Sequence, residues 1–204
     1  MIPIIDFILN MDKYLDIIIQ NYGSLVYLFA FLIIFIETGI VIFPFLPGDT
    51  LLFVLGAFAS RGQLSLLVLL SILFIAALLG NVTNYAFGRY LGMKLFSRFI
   101  RKEHLTKTHS FFDKYGVKTI VIARFIPIIR TIAPFVAGVG KMNYLRFFIF
   151  SLIGSLLWVF LFILAGFFFG NIPFVQHNLS IVILIIIIIS LIPAIVEYFR
   201  HRKN

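Results

Sequence analysis

Three stretches of the chain are long and apolar enough to cross a lipid bilayer as single helices. They cover residues 64–87, 147–170 and 179–197, and a spanning helix needs about 20 apolar residues. Hydrophobic residues make up 62% of the 204 residues and charged residues only 12%. Because a soluble core of this length cannot cover so much apolar surface, the sequence excludes a water-soluble globular domain. It predicts an all-α polytopic membrane protein with a single domain.

Two further apolar stretches, residues 30–60 and 118–140, carry charged side chains and prolines near their middle. Irregular backbone at membrane depth is tolerated only where it is buried in protein or lines a water-filled cavity. We therefore predict two re-entrant hairpins rather than two plain spanning helices. The residues expected to shape their backbone are Pro44, Pro47, Gly48, Pro127, Pro134 and Gly138.

Each predicted hairpin is followed by a span, so the chain contains a repeat. The motifs Gly88-x-x-x-Gly92 and Gly166-x-x-x-Gly170 close the two spans. Small residues four apart let helices approach closely in lipid, although glycine is also simply frequent in membrane helices.

The two ends of the chain add one helix each to this repeat. Polar and charged side chains share one side of residues 3–20, which predicts an amphipathic helix lying in the membrane interface. Residues 179–197 form the predicted C-terminal transmembrane helix.

The basic residues indicate how the chain is oriented. Lysine and arginine number 17 against 8 acidic residues, and 13 of the 17 lie in or beside residues 88–117, residues 141–146 and the C-terminal tail. Cytoplasmic segments of membrane proteins carry such an excess, so we predict that these three segments, and with them the C-terminus, are cytoplasmic. The two repeats then have inverted topology, an architecture that secondary transporters build around a site at the bilayer midplane. The same distribution explains the net charge of +9 without a nucleic-acid partner.

Four charged residues lie within the predicted hairpins: Glu37, Asp49, Arg124 and Arg130. Ionisable residues at membrane depth are costly, and their default interpretation is functional; the alternative is that they only hold the hairpins together. A guanidinium stays charged and matches phosphate oxygens, so we expect the two arginines to bind an anionic headgroup. A buried carboxyl group can change its protonation state, so we expect Glu37 and Asp49 to carry protons.

The remaining polar residues of the first span give weaker signals. Asn81, Asn84 and Tyr85 are candidates to line a cavity, although buried asparagines more often form interhelical hydrogen bonds. Trp158 lies near the centre of a span, and we interpret it as a packing residue. The chain has no cysteine and its four histidines are scattered, so we expect no metal site, no cofactor and no thiol catalysis.

Three motifs together resemble the DedA family, whose domain is also called SNARE-associated or VTT. The first is Glu37-Thr-Gly followed by Pro-Phe-Leu-Pro-Gly-Asp49. The second is Arg124-Phe-Ile-Pro-Ile-Ile-Arg130, which continues to Met142. Between them, Gly80-x4-Tyr-x2-Gly-Arg-x2-Gly resembles the family's glycine-rich helix. Asn81 departs from the pattern, because many relatives have an acidic residue there.

The resemblance implies a lipid transporter of the bacterial cytoplasmic membrane. It implies translocation of undecaprenyl phosphate driven by the proton-motive force, with the four intramembrane charges at the family's key positions. A general phospholipid scramblase, for example for phosphatidylethanolamine, is the nearest alternative. A membrane phosphatase and a non-transporting scaffold are weaker ones, and we expect no enzymatic activity. The expected partners are membrane lipids and protons, and a homo-oligomer is left open.

Overall fold

The computed structural model describes residues 22–40, 48–96, 112–113, 115–173, 175, 181–182 and 185. All regular structure in this part of the chain is helical. The predicted N-terminal helix, Pro44 and Pro47 lie outside the described residues, as does most of the predicted C-terminal span. The helices are α1 (Leu25–Gly39), α2 (Gly48–Ser60), α3 (Leu66–Phe96), α4 (Thr119–Ile122), α5 (Pro127–Val139) and α6 (Tyr144–Gly170), and short 3₁₀ turns at Gly116–Lys118 and Ala123–Phe125 flank α4.

The two long helices, α3 and α6, correspond to two of the predicted spans. Their segments Leu66–Gly92 and Tyr144–Gly170 are each 27 residues long and apolar enough to cross a membrane. Side chains such as Leu67 and Leu161 are exposed on them, as expected for apolar side chains that face lipid. The sequence therefore located these helices correctly.

The first long helix does not end where the sequence suggested. Residues 88–96, which we assigned to a separate cytoplasmic segment, continue α3, and the break falls at Gly92 with φ 64° and ψ −174°. This conformation is open essentially to glycine alone. The helix therefore continues beyond the predicted end of the span at residue 87, and the position of the membrane boundary along it stays a prediction.

The segment predicted as the second hairpin has two helical arms joined at one extended residue. Ile126 has φ −121° and ψ 105°, because the following Pro127 disfavours the helical conformation at the residue before it. Pro127 itself begins α5, a position that needs no backbone N–H. Pro134 lies inside α5 and does not break it, contrary to our expectation. Whether either segment enters and leaves the bilayer on one side stays a prediction.

The described residues fall into two compact units. Unit A contains the described residues of 32–46 and 73–159, and unit B contains those of 1–31, 47–72 and 160–204.

Unit A contains a close helix crossing built on two glycines. A side chain on Gly88 of α3 would collide with the backbone carbonyl of Phe135 in α5, and one on Gly138 of α5 would collide with the carbonyl of Tyr85 in α3. Each glycine therefore packs directly against the other helix's backbone.

Unit B contains a crossing of the same kind between α2 and α6. Gly56 packs against the backbone of Ile163, and Gly166 packs against the backbone of Phe53. Both crossings join the second arm of a predicted hairpin to a long helix, and in both the glycines are reciprocal. This agreement supports the predicted repeat.

Candidate functional site

The centre of unit A contains an ion pair between α1 and α5. Glu37 lies near the end of α1, and Arg130 lies in the first turns of α5. The Nη2 atom of Arg130 donates to Oε1 of Glu37 at 2.5 Å, and the two side chains are 3% and 0% exposed. Because an isolated buried charge is strongly destabilising, each of these two charges compensates the other at this buried position.

Arg124 lies beside this pair, in the 3₁₀ turn before Ile126, and is 2% exposed. Its Nη2 donates to the carbonyl oxygen of Ala77 at 3.1 Å and to the hydroxyl of Ser155 at 2.6 Å. Its Nε and Nη1 are buried, and neither has a hydrogen-bond partner in the described part of the chain. A buried guanidinium is suited to bind an anion when two of its nitrogen atoms are not hydrogen-bonded to a carboxylate or another acceptor.

Trp158 of α6 joins the two arginines. It is fully buried, and the guanidinium carbons of Arg130 and Arg124 lie 4.9 Å and 5.6 Å from its ring centroid. These distances are within reach of cation–π attraction. Our packing interpretation of Trp158 missed this contact. Its position near the centre of a span could have indicated a role beyond packing, because tryptophan in membrane helices is enriched at the interfaces instead.

The two asparagines of α3 form hydrogen bonds to other helices. The amide of Asn81 donates to the hydroxyl of Ser151 in α6 at 2.6 Å. The amide of Asn84 donates to the carbonyl oxygens of Thr38 and Thr131 at 3.0 and 2.7 Å. Both residues therefore connect helices around the charged cluster, and sequence reasoning missed their partners Ser151 and Thr131.

Tyr85, the third polar residue predicted to line a cavity, forms contacts different from those of the two asparagines. Its hydroxyl donates to the carbonyl oxygen of Met142 at 2.5 Å, and Arg89 donates to that hydroxyl at 3.0 Å. Its ring stacks on Phe147 with centroids 4.3 Å apart. These contacts connect Tyr85 to Arg89, to the turn between α5 and α6 and to the start of α6, and none of them involves Arg124 or Arg130.

The fourth predicted charge, Asp49, belongs to unit B. It is half-buried and lies in the first turn of α2, next to Gly48, the first residue of that helix. A carboxylate in a first turn interacts favourably with the helix dipole. The structure thus brings three of the four predicted charged residues together within unit A. Across the described residues, no group of three or more acidic or histidine side chains has the arrangement of a metal site.

The cluster of Glu37, Arg124, Arg130 and Trp158, which we call the charged cluster, has two chemical capacities. Its guanidinium groups offer planar sets of N–H donors that match phosphate oxygens. Its carboxyl group is of a chemical type that can exist with or without a proton. Guanidinium donors and a titratable carboxyl group therefore share one buried location.

Comparison with known proteins finds one matching domain family and several similar bacterial proteins. The VTT domain matches residues 46–168 of the chain. Protein DedA of Escherichia coli (strain K12) is 50% identical over 98% of this chain and 94% of its own length. An uncharacterized membrane protein of Mycobacterium leprae is 42% identical over 84% of this chain and 79% of its own. Inner membrane protein YqjA of E. coli K12 is 32% identical over 74% of this chain and 70% of its own length. No solved structure matches the chain.

Proposed function

Because the chain belongs to the DedA family of VTT-domain membrane proteins, we propose that it is a flippase for a lipid phosphate. One observation carries this proposal. The buried guanidinium of Arg124 lies beside the Glu37–Arg130 pair, and its Nε and Nη1 have no hydrogen-bond partner in the described part of the chain. Buried guanidinium donors inside a membrane protein suit a cargo that brings a phosphate into the protein while its hydrocarbon remains in lipid.

The cargo that we propose is undecaprenyl phosphate, moved across the bacterial cytoplasmic membrane for reuse of the carrier lipid. Its phosphate would bind to Arg124 first, because that guanidinium has unused donors. The C-terminus of the protein would be cytoplasmic, in line with the basic residues that surround it.

Coupling to protons would operate through Glu37. The ionised carboxylate holds Arg130 at 2.5 Å, and a proton on Glu37 removes the negative charge from this contact. Arg130 then becomes available to the phosphate, which also approaches Arg124. Proton and anion would therefore bind together, and an inward proton gradient would drive inward movement of the lipid phosphate. Asp49 is a second proton carrier in this proposal.

Reconstitution tests the cargo. The full chain is placed in vesicles of E. coli polar lipid with undecaprenyl phosphate, and outer-leaflet phosphate is measured by its accessibility to an added phosphatase. We expect faster loss of accessible phosphate than in protein-free vesicles, and faster still when the outside is acidic.

Labelled phosphatidylethanolamine in matched vesicles is the control for specificity. We expect no protein-dependent movement of this zwitterionic lipid. Movement of both lipids at rates independent of the gradient would instead establish a scramblase, and no movement of undecaprenyl phosphate would overturn the cargo assignment.

A further inference from the structure

Asn84 is placed to control the geometry of the Glu37–Arg130 pair through the backbone of the two helices that carry it. Its amide bridges α1 and α5 by donating to Thr38 and Thr131, and these residues directly follow Glu37 and Arg130 in the sequence. Asn84 is fully buried. A single side chain of α3 thus links the backbone at both halves of the ion pair.

The chemistry of this bridge explains why an asparagine suits the position. Carbonyls in the last turn of a helix have no intrahelical partner, and Thr38 lies in the last turn of α1. A primary amide has two N–H donors, so it can bind this carbonyl and one on a second helix at the same time. Alanine would offer no donor, and serine would offer only one.

We propose that Asn84 is a positioning residue that sets the pH at which the Glu37–Arg130 pair is protonated and opens. This inference rests on the proposed role of Glu37 as a proton carrier. With the bridge intact, α1 and α5 hold the carboxylate against the guanidinium and favour the ionised form. Without it the contact loosens, so the carboxyl group takes up its proton at higher pH.

The charged groups that face Glu37 within the described residues of unit A are Arg130 on α5 and Arg124 on the turn before it. The other helices of the cluster contribute uncharged side chains, which are Asn81, Asn84, Ser155 and Trp158. Replacement of Asn84 by another neutral residue leaves these charges in place and removes the bridge between the two helix arms.

The chain offers a matched control in Asn81, which is also buried and lies one turn earlier on α3. Its amide bonds to Ser151 of α6 and not to either arm that carries the ion pair. Asn81→Ala therefore removes a buried interhelical hydrogen bond of similar length without affecting the bridge. A general loss of stability would affect both variants, whereas a change in the pH profile should be confined to Asn84.

The experiment measures the pH dependence of undecaprenyl phosphate movement in proteoliposomes for the wild type, Asn84→Ala and Asn81→Ala. Loss of two hydrogen bonds near the pair should move the midpoint of the Asn84→Ala profile by about one pH unit toward higher pH. Asn81→Ala should keep the wild-type midpoint even if its maximal rate falls. Asn84→Ser keeps one donor and should shift the midpoint in the same direction by a smaller amount. This variant tests the inference even if Asn84→Ala does not fold.

Two further outcomes separate this inference from the proposed function. A pH-dependent wild type with unshifted Asn84 variants would overturn the positioning role and leave the flippase intact. A wild type whose movement of undecaprenyl phosphate does not depend on pH would overturn the coupling role of Glu37, and the positioning role with it.

Discussion

Hydrogen-bond partners distinguish the two arginines, which the sequence alone treated as equivalent. Arg130 contacts Glu37, whereas the Nη2 of Arg124 contacts a backbone carbonyl and a serine hydroxyl. A guanidinium held by neutral groups keeps its attraction for an anion, while one held by a carboxylate must first exchange partners. In the proposed mechanism Arg124 is therefore the first contact for phosphate, and Arg130 becomes available when Glu37 takes up a proton.

Replacement of Arg124 by lysine tests this division. Lysine keeps the positive charge but loses the planar set of donors, so it cannot hold Ala77 and Ser155 while presenting further N–H groups to phosphate. We expect Arg124→Lys to lower the rate of undecaprenyl phosphate movement about 10- to 100-fold, the range for loss of a hydrogen bond to a charged group. The measurement is the phosphatase-accessibility assay at one pH, with matched amounts of folded protein.

Ser155→Ala is the control for this prediction. It removes one of the groups that hold Arg124 but keeps the whole guanidinium, so its rate should stay within a few-fold of wild type. Equal losses in Arg124→Lys and Ser155→Ala would show that Arg124 acts as a structural residue.

Charge at membrane depth singled out Glu37, Asp49, Arg124 and Arg130, and the structure brings three of them, Glu37, Arg124 and Arg130, together in the charged cluster. The sequence did not predict the partners of these residues. Nothing in the sequence could show that Asn84 reaches Thr38 and Thr131, because these contacts join residues more than forty positions apart. They depend on how closely the helices pack, which hydropathy does not specify.

Local chemistry explains the shapes of individual helices well. The break at Ile126 follows from Pro127, and the bend at Gly92 requires glycine. Pro134 shows the limit of this reasoning, since tertiary packing accommodates a proline inside α5. The glycine motifs were ambiguous in the sequence, and the structure assigns Gly88 to a close helix crossing.

The crossing of α3 and α5 predicts a specific sensitivity to added volume. A Cβ atom on Gly138 would collide with the backbone of α3, which cannot move aside as a flexible side chain would. We expect Gly138→Ala to lower the free energy of unfolding by about 1–3 kcal/mol, measured by thermal or denaturant unfolding in detergent.

Gly140→Ala is the matched control two residues later. Its added Cβ would lie 3.3 Å from the carbonyl oxygen of Val136 at an ordinary φ of −72°, so a much smaller loss is expected. Gly56→Ala, in the equivalent crossing of unit B, should resemble Gly138→Ala. Wild-type stability in Gly138→Ala would contradict the close packing of these helices.

Across the chain as a whole, the first predicted repeat supplies the acidic residues and the second supplies the arginines. In the sequence, Glu37 lies near the end of α1 and Asp49 near the start of α2, while Arg124 and Arg130 lie on either side of the extended residue Ile126. Apolar length and charge distribution were sufficient to predict a helical membrane protein and a repeat. The boundaries of α3 and the pairing of the charges required the three-dimensional structure, because both are set by contacts between helices.

Gradient-driven transport by the wild type and by Glu37→Gln tests the coupling between proton and lipid phosphate. Glutamine resembles the protonated carboxyl group in shape and neutrality but cannot release a proton. In vesicles with an acidic exterior, the wild type should move undecaprenyl phosphate inward faster than at equal pH on both sides, whereas Glu37→Gln should show one rate under both conditions. Full acceleration of Glu37→Gln by the gradient, at the wild-type rate, would contradict the role of Glu37 in coupling.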